Sequence, residues 1–221
     1  MVGGVLLAQL LAGLVVAAPV GALGLMESEW ADTWFMPLLM IVSMVASLAL
    51  LLWQRRRVGA KPLFDRAELR DRTGWLLACG VLVLSYGITV GRTLWESNPE
   101  IPTLNQDVLT LMDRPGAVPW VPLAIMGLCI VVLAPLTEEW LFRGILQEVL
   151  GTRWSFWLAV PVTSLIFGLL HGAQWWVAGL YGVGLGLLAR RQKSLTLPMA
   201  AHAMINLSVF VLLVYSGLET R

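Results

Sequence analysis

The feature that most constrains this chain is a series of long apolar runs with almost no charged residues. From Trp154 to Ala189, for example, the chain contains no Asp, Glu, Lys or Arg. A helix needs about 20 apolar residues to cross the ~30 Å hydrocarbon core of a membrane. The sequence therefore predicts an all-α, polytopic membrane helical bundle with a polar cavity. The seven predicted transmembrane helices are Val2 to Met26, Phe35 to Trp53, Thr73 to Gly91, Pro115 to Thr137 with a continuation to Leu150, Trp154 to Leu170, Gly172 to Ala189, and Leu197 to Gly217.

The composition supports a membrane protein and excludes one class of partner. Hydrophobic residues make up 58% of the chain and charged residues 13%, which does not fit the surface of a soluble protein. The net charge is +1, so the chain lacks the positive field that binds nucleic acid. The lipid bilayer is the predicted surrounding, and nucleic acid is not a predicted partner.

The distribution of basic residues predicts the orientation. The connection before the second span carries Glu27, Glu29 and Asp32 and no basic residue. Short cytoplasmic loops are enriched in Lys and Arg, so the connection after that span is predicted to be cytoplasmic, and with it the N-terminus. The uncharged run Met1 to Met26 lacks a basic start and is predicted to be a retained span. The basic residues of the cytoplasmic connection are Arg55, Arg56, Arg57, Lys61, Arg66, Arg70 and Arg72.

Three other segments carry structural predictions. Pro62 to Asp71 mixes apolar and charged residues, and it is either a short interfacial helix or a solvated loop. Arg92 to Arg114 is polar and contains prolines, which predicts an external loop. Gly182 and Gly186 have the spacing that allows close helix packing, here predicted to lie inside the bundle.

Few ionisable residues fall inside the spans, and these are the functional candidates because charges in hydrocarbon are costly. Glu139 and Arg143 lie four residues apart, so they face each other on a helix and can neutralise one another. Glu138 is turned by about 100° from Glu139 and can point elsewhere without that partner, which suits a group that takes and returns protons. The alternative, one structural ion-pair cluster of all three, stays open on these residues alone. Pro135 removes a backbone donor three residues earlier, which predicts a kink or break before the acids.

Both histidines of the chain belong to the same picture. Phe167 precedes His171 by four residues, and Asn206 follows His202 by four, so each pair shares a helix face. Counted at 1.5 Å per residue from the predicted cytoplasmic corners, Glu138 and His171 lie at similar depths, whereas His202 lies nearer the cytoplasm. Each histidine alone could equally be a packed polar side chain.

Together these residues resemble the CPBP family of intramembrane proteases, which includes the CAAX prenyl protease 2-like and the bacteriocin-processing, Abi-like proteins. Its EExxxR, FxxxH and HxxxN motifs match Glu138–Arg143, Phe167–His171 and His202–Asn206, in this order. The resemblance covers about Val121 to Val211. It divides the chain into 1–116, three spans without a recognised motif, and 117–221, the catalytic helices of a single membrane domain.

The resemblance implies an intramembrane endopeptidase that hydrolyses a peptide bond of a membrane-associated protein or peptide. Glu138, helped by His171, would activate a water, and His202 with Asn206 would hold the oxyanion. Glu139, Arg143 and Phe167 would support them. The location implied by the resemblance is the bacterial inner membrane, which the protein would cross several times.

No cofactor is predicted to be required, because the sequence has no HExxH pair and an Asn suits an oxyanion better than a metal. Were zinc bound, its ligands would be Glu138, His171 and His202, as in a CAAX-like metalloprotease. Two other functions remain open: a proton-coupled transporter, because buried Glu and His can relay protons, and a membrane scaffold or immunity protein without proteolytic activity.

Overall fold

The computed structural model describes residues 15–24, 27–58, 61–95, 103–114 and 116–219, and all regular structure in these ranges is helical. The predicted all-α class is therefore confirmed. Residues 15–22 are helical, while the rest of the first predicted span lies mostly outside the described residues. The helices that follow are α1 (Glu29–Val58), α2 (Arg72–Trp95), α3 (Thr103–Met112), α4 (Trp120–Arg153), α5 (Phe156–Leu169), α6 (Trp175–Arg191) and α7 (Thr196–Glu219).

Six of these helices coincide with predicted spans two to seven, and five of the six contain strongly apolar segments. Within the described residues, α1, α4 and α7 contain segments long and apolar enough to cross one, namely Glu29–Trp53, Trp120–Arg153 and Thr196–Glu219. Arg72–Ile88 and Phe156–Leu169 are shorter apolar segments. Large apolar side chains such as Leu76, Val83 and Leu165 are exposed on the helix surfaces, as expected where lipid takes the place of water.

Helix α3 was not predicted, and the expectation of an external loop over Arg92 to Arg114 is wrong for this part. Thr103–Met112 is helical, and Val108, Leu111 and Met112 are buried. These positions recur at the spacing of one helix face. They pack into an apolar cluster with Leu123 and Met126. The apolar face outweighs the polar composition that predicted a loop.

Contacts between residues divide the chain into two compact units that alternate along the sequence. The first comprises Met1–Gln54, Leu104–Thr137 and Asn206–Arg221, and the second comprises Arg55–Thr103 and Glu138–Ile205. The second unit contains nearly all of the predicted site. The division of the chain at residue 116 was predicted from where the motifs lie and not from packing. It stays a prediction.

Helix α4 contains two wider, π-helical segments, Cys129–Leu133 and Trp140–Leu146, with the acids between them in Ala134–Glu139. In the first segment the N–H of Ala134 bonds to the carbonyl of Cys129, five residues back. The next bond of this kind would join Pro135 to Ile130, but proline has no N–H. Asn206 donates to the Ile130 carbonyl instead, at 2.8 Å. The predicted kink or break at Pro135 is therefore a widened turn with a side-chain substitute for the lost donor.

Of the two alternatives for Pro62 to Asp71, the structure favours the loop, which is mostly exposed but anchored at one buried residue. Its regular structure is one 3-10 turn, Glu68–Arg70, and the Glu68 carboxylate is buried. The backbone N–H and the hydroxyl of Ser194 each donate to this carboxylate at 2.7 Å. The segment therefore packs against the turn between α6 and α7.

Lys61, just before this segment, and Asp71, its last residue, make further contacts. The backbone of Lys61 donates to the carbonyl of Gly144 in the second π segment, at 3.2 Å. At the start of α2, hydrogen bonds from the backbone of Gly74 and the side chain of Gln192 hold the pKa of Asp71 below its usual range. The loop, the second π segment of α4 and the turn before α7 are thus tied together within the second unit.

Candidate active site

The centre of the site is the buried ion pair between Glu139 and Arg143. Both side chains are almost fully excluded from solvent, and Nη1 of Arg143 lies 2.9 Å from Oε1 of Glu139. The guanidinium also donates to the carbonyl of Gly182 at 3.1 Å and lies over the ring of Phe167, 4.4 Å from its centroid. The predicted pairing of Glu139 with Arg143 thus agrees with the geometry.

His202 is held by the same carboxylate. Its Nδ1 lies 2.9 Å from Oε1 of Glu139, and a carboxylate can only accept, so Nδ1 carries the proton of this hydrogen bond. In the neutral imidazole, Nε2 is then an acceptor. Nε2 faces the other acid, 3.8 Å from Oε2 of Glu138.

His171 has the same arrangement by a different route. It follows α5 in a turn, and its Nδ1 lies 2.7 Å from the backbone carbonyl of Phe167. Because a carbonyl only accepts, Nδ1 is the donor, and Nε2 of the neutral ring is an acceptor. This Nε2 lies 4.0 Å from Oε2 of Glu138. Gly172 ends the turn with a φ of +60°, a conformation that favours glycine.

Glu138 is therefore the group on which both histidines converge, and it is more accessible than the residues behind it. The side chains of Glu138 and His171 are 25% and 31% exposed, against 1% for His202. Neither Nε2 atom is within direct hydrogen-bonding distance of the Glu138 carboxylate. The site thus presents three polar atoms, one from each residue, around a point that solvent can approach.

The expectation that His202 lies nearer the cytoplasm than the other two residues is wrong. The count began at the basic loop between α6 and α7, but Gln192, Ser194 and Leu195 in this loop are buried. A depth measured from that loop therefore does not begin at the protein surface. The second π segment adds to the error, because a π turn holds more residues than an α turn.

Aromatic side chains surround the polar groups. Phe167 is fully buried, and its ring centroid lies 4.4 Å from that of His171 and 5.9 Å from that of His202. Phe142 and Tyr181 meet the Phe167 ring edge-on, at 5.1 Å and 5.7 Å. Phe167 thus supports the site with its ring as well as its carbonyl, which gives a physical reason for the first residue of the FxxxH motif.

Three contacts of the site have no simple signal in the sequence. Glu139 and His202 are 63 residues apart, and no spacing rule joins them. The carbonyl of Gly182 comes from a residue that the sequence marks only for close packing; a Cβ there would lie 3.2 Å from the Arg143 guanidinium. Tyr181, whose ring centroid is 6.0 Å from that of His202, was not predicted at all.

Asn206 belongs to the other compact unit. There its side-chain amide donates to the Ile130 carbonyl at 2.8 Å, which leaves a second N–H on the same nitrogen. Its predicted role as an oxyanion donor rests on its place in the HxxxN motif.

The polar groups of the site include side chains that commonly bind metal ions. Two imidazole nitrogens and a carboxylate are ligands that zinc accepts. Over the part of the chain that the structure describes, no group of three or more His, Cys, Asp or Glu side chains is arranged to hold a metal ion.

The fold and the site define a class: polytopic, all-helical membrane proteins with a glutamate and two histidines facing each other. Comparison with known families makes the class specific. The family model "Type II CAAX prenyl endopeptidase Rce1-like" matches residues 120–208, which include all three motifs. The chain belongs to this family, the CPBP family of the sequence motifs. The family is described as one of CAAX prenyl endopeptidases, so at the level of the family the findings point to a membrane peptidase.

Two bacterial relatives support this assignment. The chain is 31% identical over 163 residues to an "Uncharacterized 24.3 kDa protein" of Escherichia coli, covering 70% of each chain. It is 24% identical over 178 residues to the "Putative membrane peptidase YdiL" of Bacillus subtilis (strain 168), covering 78% of this chain and 70% of the relative. No solved structure matches the chain significantly.

Proposed function

We propose that this protein is an intramembrane endopeptidase that cleaves a membrane-associated protein or peptide with water activated by Glu138. The observation that carries the proposal is the convergence of Nε2 of His171 and Nε2 of His202 on Oε2 of Glu138, at 4.0 Å and 3.8 Å. Separations of this size exceed a direct hydrogen bond and suit two groups bridged by one water. A water held between Glu138 and His171 would meet two acceptors, which is what activation as a nucleophile requires.

The proposed reaction has two steps. The water oxygen forms a bond to the carbonyl carbon of the scissile peptide, and its proton passes to Glu138. The carbon–nitrogen bond then breaks, and Glu138 returns the proton to the leaving amine. His171 accepts a hydrogen bond from the water through Nε2, because its Nδ1 is committed to the Phe167 carbonyl.

His202, with Asn206, is proposed to stabilise the oxyanion. Nε2 of His202 can donate only when the ring is protonated on both nitrogens. Glu139 orients the ring for this role, because its carboxylate accepts from Nδ1 at 2.9 Å. Arg143 holds the carboxylate in place. These two residues are therefore proposed to act through His202.

The proposed mechanism needs no metal ion. If zinc were bound, Glu138, His171 and His202 would be the residues to hold it, and the ion would supply Lewis acidity. A chelator distinguishes the metal-free mechanism from the zinc-dependent one. Treatment with a chelator should leave cleavage unchanged, whereas a loss that only added zinc restores would contradict the metal-free mechanism.

The substrate and location follow from the membrane setting. The matched family is described as CAAX prenyl endopeptidases, and both relatives are bacterial. We propose that the protein lies in the bacterial inner membrane with a cytoplasmic N-terminus. Its substrate is a protein or peptide held at the same membrane.

The experiment compares membrane-protein termini in cells that carry the wild type, Glu138→Gln or Glu219→Gln. Glu138→Gln removes the proton acceptor with little change of shape and should lower cleavage by roughly 10²- to 10⁴-fold. A precursor should therefore accumulate, and its new terminus should disappear. Glu219→Gln, an exposed change at the end of α7, should match the wild type. Identical termini in all three strains would overturn the proposal and favour a proton relay or a scaffold.

A further inference from the structure

The proposed site is rich in acceptors and poor in donors. Oε2 of Glu138 accepts, and Nε2 of each neutral histidine also accepts, because both Nδ1 atoms are already donating. Peptide hydrolysis builds negative charge on the carbonyl oxygen, and that charge needs donors. His202 provides one only after it gains a proton. A neutral donor would not depend on that protonation.

Tyr181 is the neutral donor that lies against these groups. Tyr181 lies near the start of α6 and directly precedes Gly182. The carbonyl of Gly182 accepts a hydrogen bond from Arg143. The ring of Tyr181 is buried, with its centroid 6.0 Å from that of His202 and 5.7 Å from that of Phe167. The backbone bond of Gly182 to Arg143 fixes this part of α6 against the ion pair, so the phenol is held beside His202.

The Tyr181 hydroxyl is uncommitted. The ring of Tyr181 lies beside that of His202, and Nε2 of His202 is 3.8 Å from Oε2 of Glu138. Among the described residues, the structure gives this hydroxyl no hydrogen-bond partner. The ring is buried, but the hydroxyl oxygen is not among the fully enclosed polar atoms without a partner. Its proton is therefore available for a bound substrate.

We propose that Tyr181 is a further catalytic residue, whose hydroxyl donates a hydrogen bond to the oxyanion formed from the scissile carbonyl. The tyrosine forms and breaks no covalent bond and keeps its proton throughout the reaction. It adds to His202 a donor that is protonated at neutral pH. The inference rests on the proposed peptidase function and names one more group of its site.

The test uses the full-length protein in cell membranes and Tyr181→Phe, which removes the hydroxyl and keeps the ring. The probe is the precursor that accumulates in the Glu138→Gln strain, and the measurement is its rate of cleavage after each variant is supplied. Tyr181→Phe should slow cleavage by roughly 10²- to 10³-fold, the usual loss for one oxyanion donor. The matched control is Tyr215→Phe, which removes an exposed hydroxyl from α7 and should cleave at the wild-type rate.

Two further measurements separate catalysis from packing. Tyr181→Phe should keep the wild-type melting temperature, and in a Glu138→Gln background it should bind the precursor as well as Glu138→Gln alone. A slower reaction with weaker binding or lower stability would instead assign Tyr181 a packing role and overturn the inference. Cleavage at the wild-type rate would also overturn it, while leaving the proposed function intact. If no precursor accumulates in Glu138→Gln, the proposed function fails and this inference fails with it.

Discussion

At the scale of single residues, Glu139 is the most connected group of the site. One of its oxygens, Oε1, lies 2.9 Å from both Arg143 and His202. Burying one carboxylate and one guanidinium is costly, and the hydrogen bonds to both offset part of this cost. Because both partners use the same oxygen, the position of the Arg143 guanidinium and the orientation of the His202 ring are linked.

Arg143→Ala should therefore be strongly destabilising. It leaves the Glu139 charge buried without its cation, and breaking a buried pair in this way costs about 3–5 kcal/mol. Thermal unfolding of the purified protein in detergent would measure the loss. Arg190→Ala is the matched control, because Arg190 is exposed and stacks on Phe156 and Trp157 at 4.3 Å and 4.5 Å. Such exposed cation–π contacts are worth about 0.5–1 kcal/mol, so equal losses in the two variants would contradict the interpretation.

At the scale of elements, one hydrogen bond between α7 and α4 is made by Asn206, for which a chemical role is also proposed. Pro135 leaves the Ile130 carbonyl without its π-helical donor, and Asn206 supplies one. Asn206 is also the last residue of the HxxxN motif. A loss of activity in Asn206→Ala could therefore come from a damaged helix or from a missing oxyanion donor.

A double-mutant cycle between Pro135 and Asn206 separates these two tasks. Asn206→Ala alone should cost about 1–3 kcal/mol, because it leaves a buried carbonyl unsatisfied. Alanine at position 135 provides an N–H for the same carbonyl, so Asn206→Ala should cost much less in a Pro135→Ala background. Melting temperatures of the four proteins would give the coupling, and additive losses would contradict the role of Asn206 at Ile130.

The activities of the same four proteins address the chemical task. If Asn206 is an oxyanion donor as well, the double variant should regain stability and remain slow, by roughly 10²- to 10³-fold. Recovery of both stability and activity would show that Asn206 is needed only for the helix.

At the scale of the whole molecule, the orientation in the membrane decides from which side the site is reached. The segment from Lys61 to Asp71 packs on the buried turn before α7. It belongs to the connection rich in Lys and Arg, so the positive-inside rule predicts that its exposed residues face the cytoplasm. The connection before α4 should then face the opposite side.

Single cysteines would test this orientation. In a background with Cys79 and Cys129 replaced by Ser, Arg66→Cys and Asp113→Cys place one thiol on each predicted side, both at exposed positions. A membrane-impermeant maleimide added to intact cells should label Asp113→Cys and leave Arg66→Cys unlabelled until the membrane is opened. The reverse pattern would invert the proposed topology.

How much of this molecule can be predicted from its sequence depends on the distance over which each feature is determined. The apolar runs predict six of the helices, and the spacing of Glu139 and Arg143 predicts their ion pair, because both are local properties of a helix. The pairing of Glu139 with His202 depends on how separate helices pack, and nothing in the spacing encodes it. The spacing of Val108, Leu111 and Met112 does indicate helix α3. The polar residues around them nevertheless favoured the prediction of a loop.

The wide turns of α4 restrict how the gene for this protein can change. Within the second unit, Trp140–Leu146 lies between Glu138 and Gln147, whose amide bonds to the Gly186 carbonyl at 3.0 Å. Loss of a single codon in this stretch would turn the two ends of the helix relative to each other by about 100°. Either the acids or Gln147 would then leave their partners. Natural variants are therefore expected to differ here by exchange of residues and to confine insertions and deletions to the connecting loops.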